Sequence, residues 1–310
     1  ATTDIYSWKD QRISRTVSAN LGMSYSARQV LKEASLDQVL RWLPIPMDPD
    51  QALDRIWNKA ARPTTIPSET EDLLLEQALA REALRLSFEH HRRLLAPTDE
   101  PSRQRGPGLG MARRSDRGAD LCRYGLIIGS GGVLSHAPSP SQAALMMLDA
   151  FEPVFHATLA KDSRFMMPHL GVLGRLIPEA ALDLFRKECL VPIADSLSPS
   201  GLVRQGRPCL RYALDCKGAA PLQGELLGGE IRSLSLAEGE AAALCVTPAR
   251  GIDAGAGPGR VVEMEVRGGK AGLILDCRGR PILWPDPHET RSVMAQWASA
   301  VKALPEGVPA

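Results

Sequence analysis

The chain has 310 residues, is 44% hydrophobic, and carries 37 Lys and Arg against 36 Asp and Glu. That length can bury a sizeable core and points to two or three domains, while the near balance of charge offers no field for a nucleic-acid backbone or an anionic lipid surface. No run of about 18 apolar residues is present and the N-terminal Ala-Thr-Thr-Asp lacks basic and apolar signal regions, so neither a transmembrane helix nor a signal peptide is expected. The six cysteines, at positions 122, 189, 209, 216, 245 and 277, form no C-x-x-C pair. They read as buried reduced thiols of a cytoplasmic protein.

In chain order, a strand-like piece with Ile5, Tyr6 and Trp8 comes first, followed by an irregular loop from Val17 to Ser26 around Gly22. A helix is predicted from Ala27 to Leu43, stopped by Pro44 and Pro46, and another from after Pro49 to before Pro63. Ser68-Glu69-Thr70-Glu71 has the form of a capping box opening a long helix to Leu95. Leu75, Leu79, Ala83 and Leu86 lie on one stripe of it, interrupted by Glu82. Residues 97–120 hold four glycines and several arginines, including Arg113-Arg114, without apolar periodicity, and read as a mobile surface insertion.

Leu126-Ile127-Ile128 fits a fully buried strand, and Gly129-Ser130-Gly131-Gly132 then permits a backbone too tight for side chains. Ser139 and Gln142 form a second capping box, with Pro140 in the first helical position. Strand, glycine turn and helix in that order can admit an anion or a purine ring, or can simply pack a helix on a sheet. The dinucleotide pattern G-x-G-x-x-G fails because Leu134 stands in the third glycine's place, and no P-loop is present.

Pro178 opens a helix with Leu182, Phe185 and Cys189 on one face, closed by Pro192. From Gly206 the period changes to two. Leu210, Tyr212, Leu214 and Cys216 alternate with Arg211, Ala213 and Asp215, and Val262, Met264 and Val266 alternate with Glu263 and Glu265, which predicts antiparallel strands with one buried face. A last helix from Glu289 to Leu304 presents Val293, Trp297 and Val301.

Other chemistry finds little support. His90-His91 follows Glu89 without an H-E-x-x-H motif and reads as a solvated helix face. His136 and His169 could face a cleft, but hydrogen-bonded structural roles are preferred. Arg278 and Arg280 fall in a turn, where they stabilise that turn or face solvent rather than bind a partner's carboxylates. Asp286-Pro287-His288 approaches the cobalamin-ligating D-x-H-x-x-G, but Arg291 replaces its glycine, so no direct cobalamin ligation is expected.

Several blocks together resemble one family: Ala1-Thr2-Thr3-Asp4, Leu21-Gly22-Met23, Gly129 to Pro138, Met166 to Leu173, Asp253-x-Gly255-x-Gly257, and Gly272-Leu273-Ile274-Leu275-Asp276-x-Arg278-Gly279-Arg280-Pro281. They resemble the glutamate mutase accessory proteins called MutL or GlmL, of the actin, Hsp70 and sugar kinase ATPase superfamily and unrelated to mismatch repair. The resemblance implies an α/β fold: the second lobe of an actin-like, ribonuclease H-like ATPase with helical insertions over 1–195, then a β-rich module over 196–310. It implies that Thr2 and Thr3 contact phosphate, that Asp4 positions metal-bound water, and that Gly129, Ser130, Gly131 and Gly132 lie against the adenosine. In the family a loop Asp-Gly-Gly-Ala-Thr-Thr-Asp wraps the phosphates. The present sequence starts at the Ala of that loop, so ATP and Mg²⁺ are expected only together with a preceding lobe. The implied partner is an adenosylcobalamin-dependent mutase, of glutamate mutase or aminomutase type, that the protein reactivates. A hydantoinase- or oxoprolinase-type amidohydrolase, which uses a similar phosphate loop, and a non-catalytic binding module are the alternatives.

Overall fold

The computed structural model describes residues 3–9, 11–95, 123–216, 218 and 220–309. The glycine- and arginine-rich segment at 97–120, with its Arg113-Arg114 pair, lies outside the described residues, as do Thr2 and Cys122. The chain is mixed α/β and forms two compact units, Ala1–Cys122 with Asp149–Phe151, and Arg123–Leu148 with Glu152–Ala310.

The described residues of the first unit include a hairpin and four helices. Strands β1 (Thr3–Lys9) and β2 (Arg12–Ser18) pair antiparallel, with Gln11 at φ 61° in the connection. Val17 and Ser18 thus end a strand, where the sequence suggested a loop: the cross-strand partners Asp4 and Thr3 extend the ladder to them. Helices α1 (Ala27–Ala34) and α2 (Leu36–Leu40) replace the single predicted helix. Ser35 breaks it at φ 75°, and its hydroxyl accepts from the amide of Gln38 at 3.4 Å to start the second piece. Serine competes for backbone donors in this way at helix starts. Helix α3 (Pro49–Ala61) begins at Pro49 itself, capped by the Asp48 carboxylate.

Helix α4 (Thr70–Leu95) buries Leu75, Leu79, Ala83 and Leu86 as the stripe predicts. Glu82 is buried with them because it is satisfied: Oε1 accepts from Trp42 Nε1 at 2.7 Å and Arg41 at 3.3 Å, and Oε2 from Arg85 at 2.7 Å. Its first turn is held by charge, with Glu69, Glu71 and Asp72 gathered on Arg55.

The second unit holds a five-stranded mixed sheet in the order β3-β4-β5-β13-β9, formed by Leu126–Gly129, Phe155–Asp162, Leu190–Ser198, Leu273–Asp276 and Ile231–Leu234. β3 runs parallel to β4, β4 antiparallel to β5, and β13 parallel to β5. The helix opened by Pro178 ends at Leu184 and passes through a π turn, Phe185–Cys189, straight into β5. Pro192 therefore lies within a strand, at the point where the β4–β5 register shifts, a position that tolerates its missing amide; Leu182 is exposed, so the expected apolar face does not form. β5 also crosses residue 195, where the sequence suggested a domain boundary.

The antiparallel sheet β12-β10-β7-β8 comprises Val262–Arg267, Ala241–Pro248, Pro208–Cys216 and Leu222–Leu227, and the two-residue strands β6 (Ser200–Gly201) and β11 (Ile252–Asp253) pair antiparallel with each other. The period-two pattern has the predicted consequence: Leu210, Tyr212, Leu214 and Val266 are buried, and Arg211, Asp215, Glu263 and Glu265 are exposed. They share one core with Leu197, Leu273 and Leu275 of the mixed sheet. The last helix, Thr290–Ala300, buries Trp297, whose Nε1 donates to the carbonyl of Gly229 at 2.7 Å.

At the end of β13 the Asp276 carboxylate and the Arg278 side chain are both fully buried. Arg278 Nε and Nη2 donate to Asp276 at 3.0 and 2.8 Å, and Arg280 Nη2 reaches Oδ2 at 2.8 Å while its Nε donates to the Pro153 carbonyl at 2.9 Å. Both arginines therefore stabilise the turn, and neither is solvated. Burial alone would raise Asp276, but the charges and hydrogen bonds of Arg278 and Arg280 hold it well below the usual carboxylate range. A carboxylate depressed in the folded state contributes stability above its unfolded value of about 3.8, and that contribution is lost as pH falls further. Asp276→Asn should cost about 3–5 kcal/mol at pH 7, because two arginines lose a buried counter-charge. Urea unfolding checks this, and the gap between wild type and variant should narrow below about pH 4.

Candidate functional site

The glycine turn is built where β3 ends. Leu126 is 51% exposed and Ile127 and Ile128 are half-buried, not fully buried as predicted, because β3 is an edge strand of the mixed sheet. A Cβ on Gly129 would fall 2.9 Å from Leu134 Cδ1 and from Met147 Sδ, so a larger residue there would have to push aside the ends of both side chains, one of them from the short helix α5 (Gly132–Ser135). Gly131 sits at φ 103°, a conformation side chains rarely adopt. A Cβ on Gly131 or Gly132 would meet no described atom within 4 Å, which leaves that backbone open to a flat group. Helix α6 (Pro140–Phe151) follows with the predicted capping box: Ser139 Oγ accepts from the Gln142 amide at 3.2 Å, and Gln142 Oε1 accepts from the Ser139 amide at 3.4 Å.

The end of β4 adds two charged groups beside this turn. Ser130 Oγ donates to Asp162 Oδ2 at 3.1 Å, and the Met167 amide donates to the same oxygen at 2.8 Å. Asp162 is fully buried, and its Oδ1 has no hydrogen-bond partner among the described residues. A buried acceptor left open costs about 1–3 kcal/mol unless something else donates to it. Lys161 is also buried, with Nζ on the Ser135 carbonyl at 3.0 Å, and burial together with the charge of Lys270 lowers its pKa. Neither Lys161 nor Asp162 is assigned a role by the sequence reading, which leaves their strand unassigned between two recognisable blocks. The available signal is a charged pair ending an apolar run, Ala157-Thr158-Leu159-Ala160.

Thr3 and Asp4 belong to the first unit, and Gly129, Ser130, Gly131 and Gly132 to the second. The Thr3 hydroxyl donates to the Leu21 carbonyl at 2.7 Å, and Asp4 Oδ1 accepts from Arg15 Nε and Nη2 at 3.1 and 2.8 Å. Among the described residues no group of three or more His, Cys, Asp or Glu is arranged to hold a metal ion. His91, expected on a solvated face, is fully buried: its ring nitrogens meet Thr16 Oγ1 at 2.8 Å and Ser7 Oγ at 3.1 Å, which ties the hairpin to α4, and burial lowers its pKa. His136 and His169 are both exposed. Cys189, Cys209, Cys216, Cys245 and Cys277 are free thiols, of which Cys216 and Cys245 are half-buried.

Two alanine substitutions separate packing from access at the turn. Gly129→Ala should destabilise by about 1–3 kcal/mol through overpacking, whereas Gly132→Ala should stay within about 0.5 kcal/mol of wild type. Thermal unfolding of both variants checks the order.

No helix among the described residues is long and apolar enough to cross a membrane. The chain is similar to Protein MutL of Clostridium tetanomorphum, with 24% identity over 208 residues, which cover 60% of this chain and 43% of that protein. The chain thus spans less than half the length of this curated relative. No solved structure matches it. The family model described as MutL protein matches residues 1–189, more than half of the 310. On that match the chain belongs to the MutL protein family, the accessory family to which its sequence blocks pointed.

Proposed function

We propose that these residues form the second lobe of an actin-like accessory ATPase that reactivates an adenosylcobalamin-dependent mutase of glutamate mutase or aminomutase type. The observation that carries the reading is the open glycine turn at Gly131 and Gly132 beside a buried carboxylate with a free acceptor, in a chain of this family. Exposed backbone there admits the face of a purine, and Asp162 Oδ1, closed to solvent as it stands, would accept from an amino or hydroxyl group of a nucleoside once the turn shifts to expose it. Ser130 holds that carboxylate in place through Oδ2.

On the phosphate side, Thr2, Thr3 and Asp4 are the residues assigned by family likeness. Thr3 would give up its bond to Leu21 and Asp4 its pairing with Arg15 before either met phosphate or a hydrated Mg²⁺. A preceding lobe is therefore part of the proposal, as the second half of the nucleotide site. Bound ATP would supply the free energy for a change in lobe arrangement that loosens the mutase and lets damaged cofactor leave. The β-rich region from about 200 to 290 is the proposed surface for the mutase, and no cobalamin ligand is assigned to this chain. Asp286 and His288 are exposed, and the Asp286 carbonyl closes a turn onto Glu289 and Thr290.

The test is a reactivation assay. A mutase inactivated by turnover should regain activity when this chain, joined to a first ATPase lobe, is added with ATP, Mg²⁺ and fresh adenosylcobalamin. Recovery should fall at least tenfold when ATP is omitted. No recovery above that given by cofactor alone overturns the proposal.

A further inference from the structure

Residues 164–188 form an arm of the second unit that buries little of itself. Two seven-residue helices, α7 (Met167–Leu173) and α8 (Pro178–Leu184), lead through the π turn into β5, and of residues 164–188 only Leu170 and Ala181 are buried. Helices this short are not stable alone in water and depend on packing of an apolar face. Here that face is left open. Phe165, Val172, Leu176, Ile177, Leu182 and Leu184 are between 43% and 80% exposed, and Met166 and Met167 add to them. Their exposed fractions amount to roughly 700 Å² of apolar surface, more than ordinary monomers leave in one region and close to the ~800 Å² that each partner gives to a stable interface. Phe165 keeps its exposed ring at φ 55°, a strain that collects at binding surfaces.

The charges on the arm select what covers it. An anionic lipid surface gains nothing there, because Arg164, Arg175 and Arg186 are offset by Glu179 and Glu188, and Lys187 is already paired with Asp183 at 2.6 Å. The order of charge suits a second copy of the same arm. Glu179, Leu182 and Arg186 are three and then four residues apart, so they follow one stripe of α8 and its π turn. All three are exposed, and neither Glu179 nor Arg186 forms an ion pair among the described residues. Laid antiparallel to itself about a two-fold axis at Leu182, the stripe sets Glu179 of each copy beside Arg186 of the other and Leu182 against its counterpart. A parallel arrangement brings like charges together, so the acid-to-base order specifies the symmetric antiparallel contact.

We propose that this arm is the contact surface of a homodimer, with the stripe Glu179, Leu182 and Arg186 at its two-fold axis and the exposed methionines, leucines and Phe165 buried around it. Phe, Met and Arg are the residue types that interface cores favour. The contact does not rest on the nucleotide reading, since it shares no residue with Gly129 to Gly132, Lys161 or Asp162.

Sedimentation of the 310-residue chain tests it. At about 50 µM the chain should run at twice its 33.5 kDa mass and dissociate on dilution. Glu179→Arg and Arg186→Glu should each weaken the dimer at least tenfold, since symmetry counts each pair twice. The double variant restores opposite charges across the axis and should return to within about threefold of wild type. Leu182→Glu should leave a monomer, whereas Ile66→Glu, at an exposed apolar position in the first unit, should leave the dimer intact. All these positions are exposed, so thermal unfolding should show each variant folded, and the wild-type result stands even if one is not. A monomer at about 50 µM overturns the proposal. So does a dimer that survives Leu182→Glu, or an arm that becomes protected from hydrogen exchange only when a mutase or a first ATPase lobe is added.

Discussion

One carboxylate organises the second unit. Asp276 ends β13, an interior strand of the mixed sheet between β5 and β9, and from there its two oxygens hold Arg278 and Arg280. Arg278 in turn lies 4.9 Å from the ring centroid of Trp297, so the cluster ties the C-terminal helix to the sheet. Arg280 reaches Ser198 on β5 and the Pro153 carbonyl before β4. A neutral residue at 276 would leave two cations with no water to meet them, and a burial cost of several kcal/mol per ion follows. The arrangement is worth having only because every charge in it is paired. It fixes three separate parts of the chain to one point.

The first unit solves a similar problem with Glu82. Its position inside an apolar stripe looks like an error in the pattern until its three donors are counted: Trp42, Arg41 and Arg85. His91 does the same for the hairpin, as a neutral ring between two hydroxyls. In each case a polar group inside α4 is tolerated because it is paired, and apart from Arg85, one turn along the same helix, its partners come from residues distant in sequence. The helix is consequently anchored on more than one side.

What the sequence disclosed follows from the range of the forces involved. The antiparallel strands, the long helix, the second capping box and the glycine turn depend on period or on neighbours within four residues, and these are legible. The break at Ser35, the strand placement of Pro192 and the burial of His91 depend on contacts that periodicity does not carry. The family likeness directed attention to Gly129 to Gly132. It said nothing of Asp162, which acquires its interest only from the fold: Ser130 and the Met167 amide occupy one of its oxygens and leave the other open. His156 Nε2 lies 3.1 Å from Asp195 Oδ2, yet the two residues are 39 positions apart and no spacing rule relates them; the antiparallel pairing of β4 with β5 does.

The shifted register at Pro192 has a geometric consequence for that same strand. Ile193 is the extra residue on β5, and it is pinned from the other side, since its carbonyl accepts from the Ala271 amide at 2.7 Å. The irregularity is thus confined to β5, and β4 keeps an unbroken alternation from His156 to Asp162. Six residues at roughly 3.3 Å each place these two side chains on one face about 20 Å apart. They behave as two marks on a single ruler. A slip of one residue would turn both to the opposite face together, so the depth of the imidazole at one end and of the carboxylate at the other are set by the same ladder of hydrogen bonds.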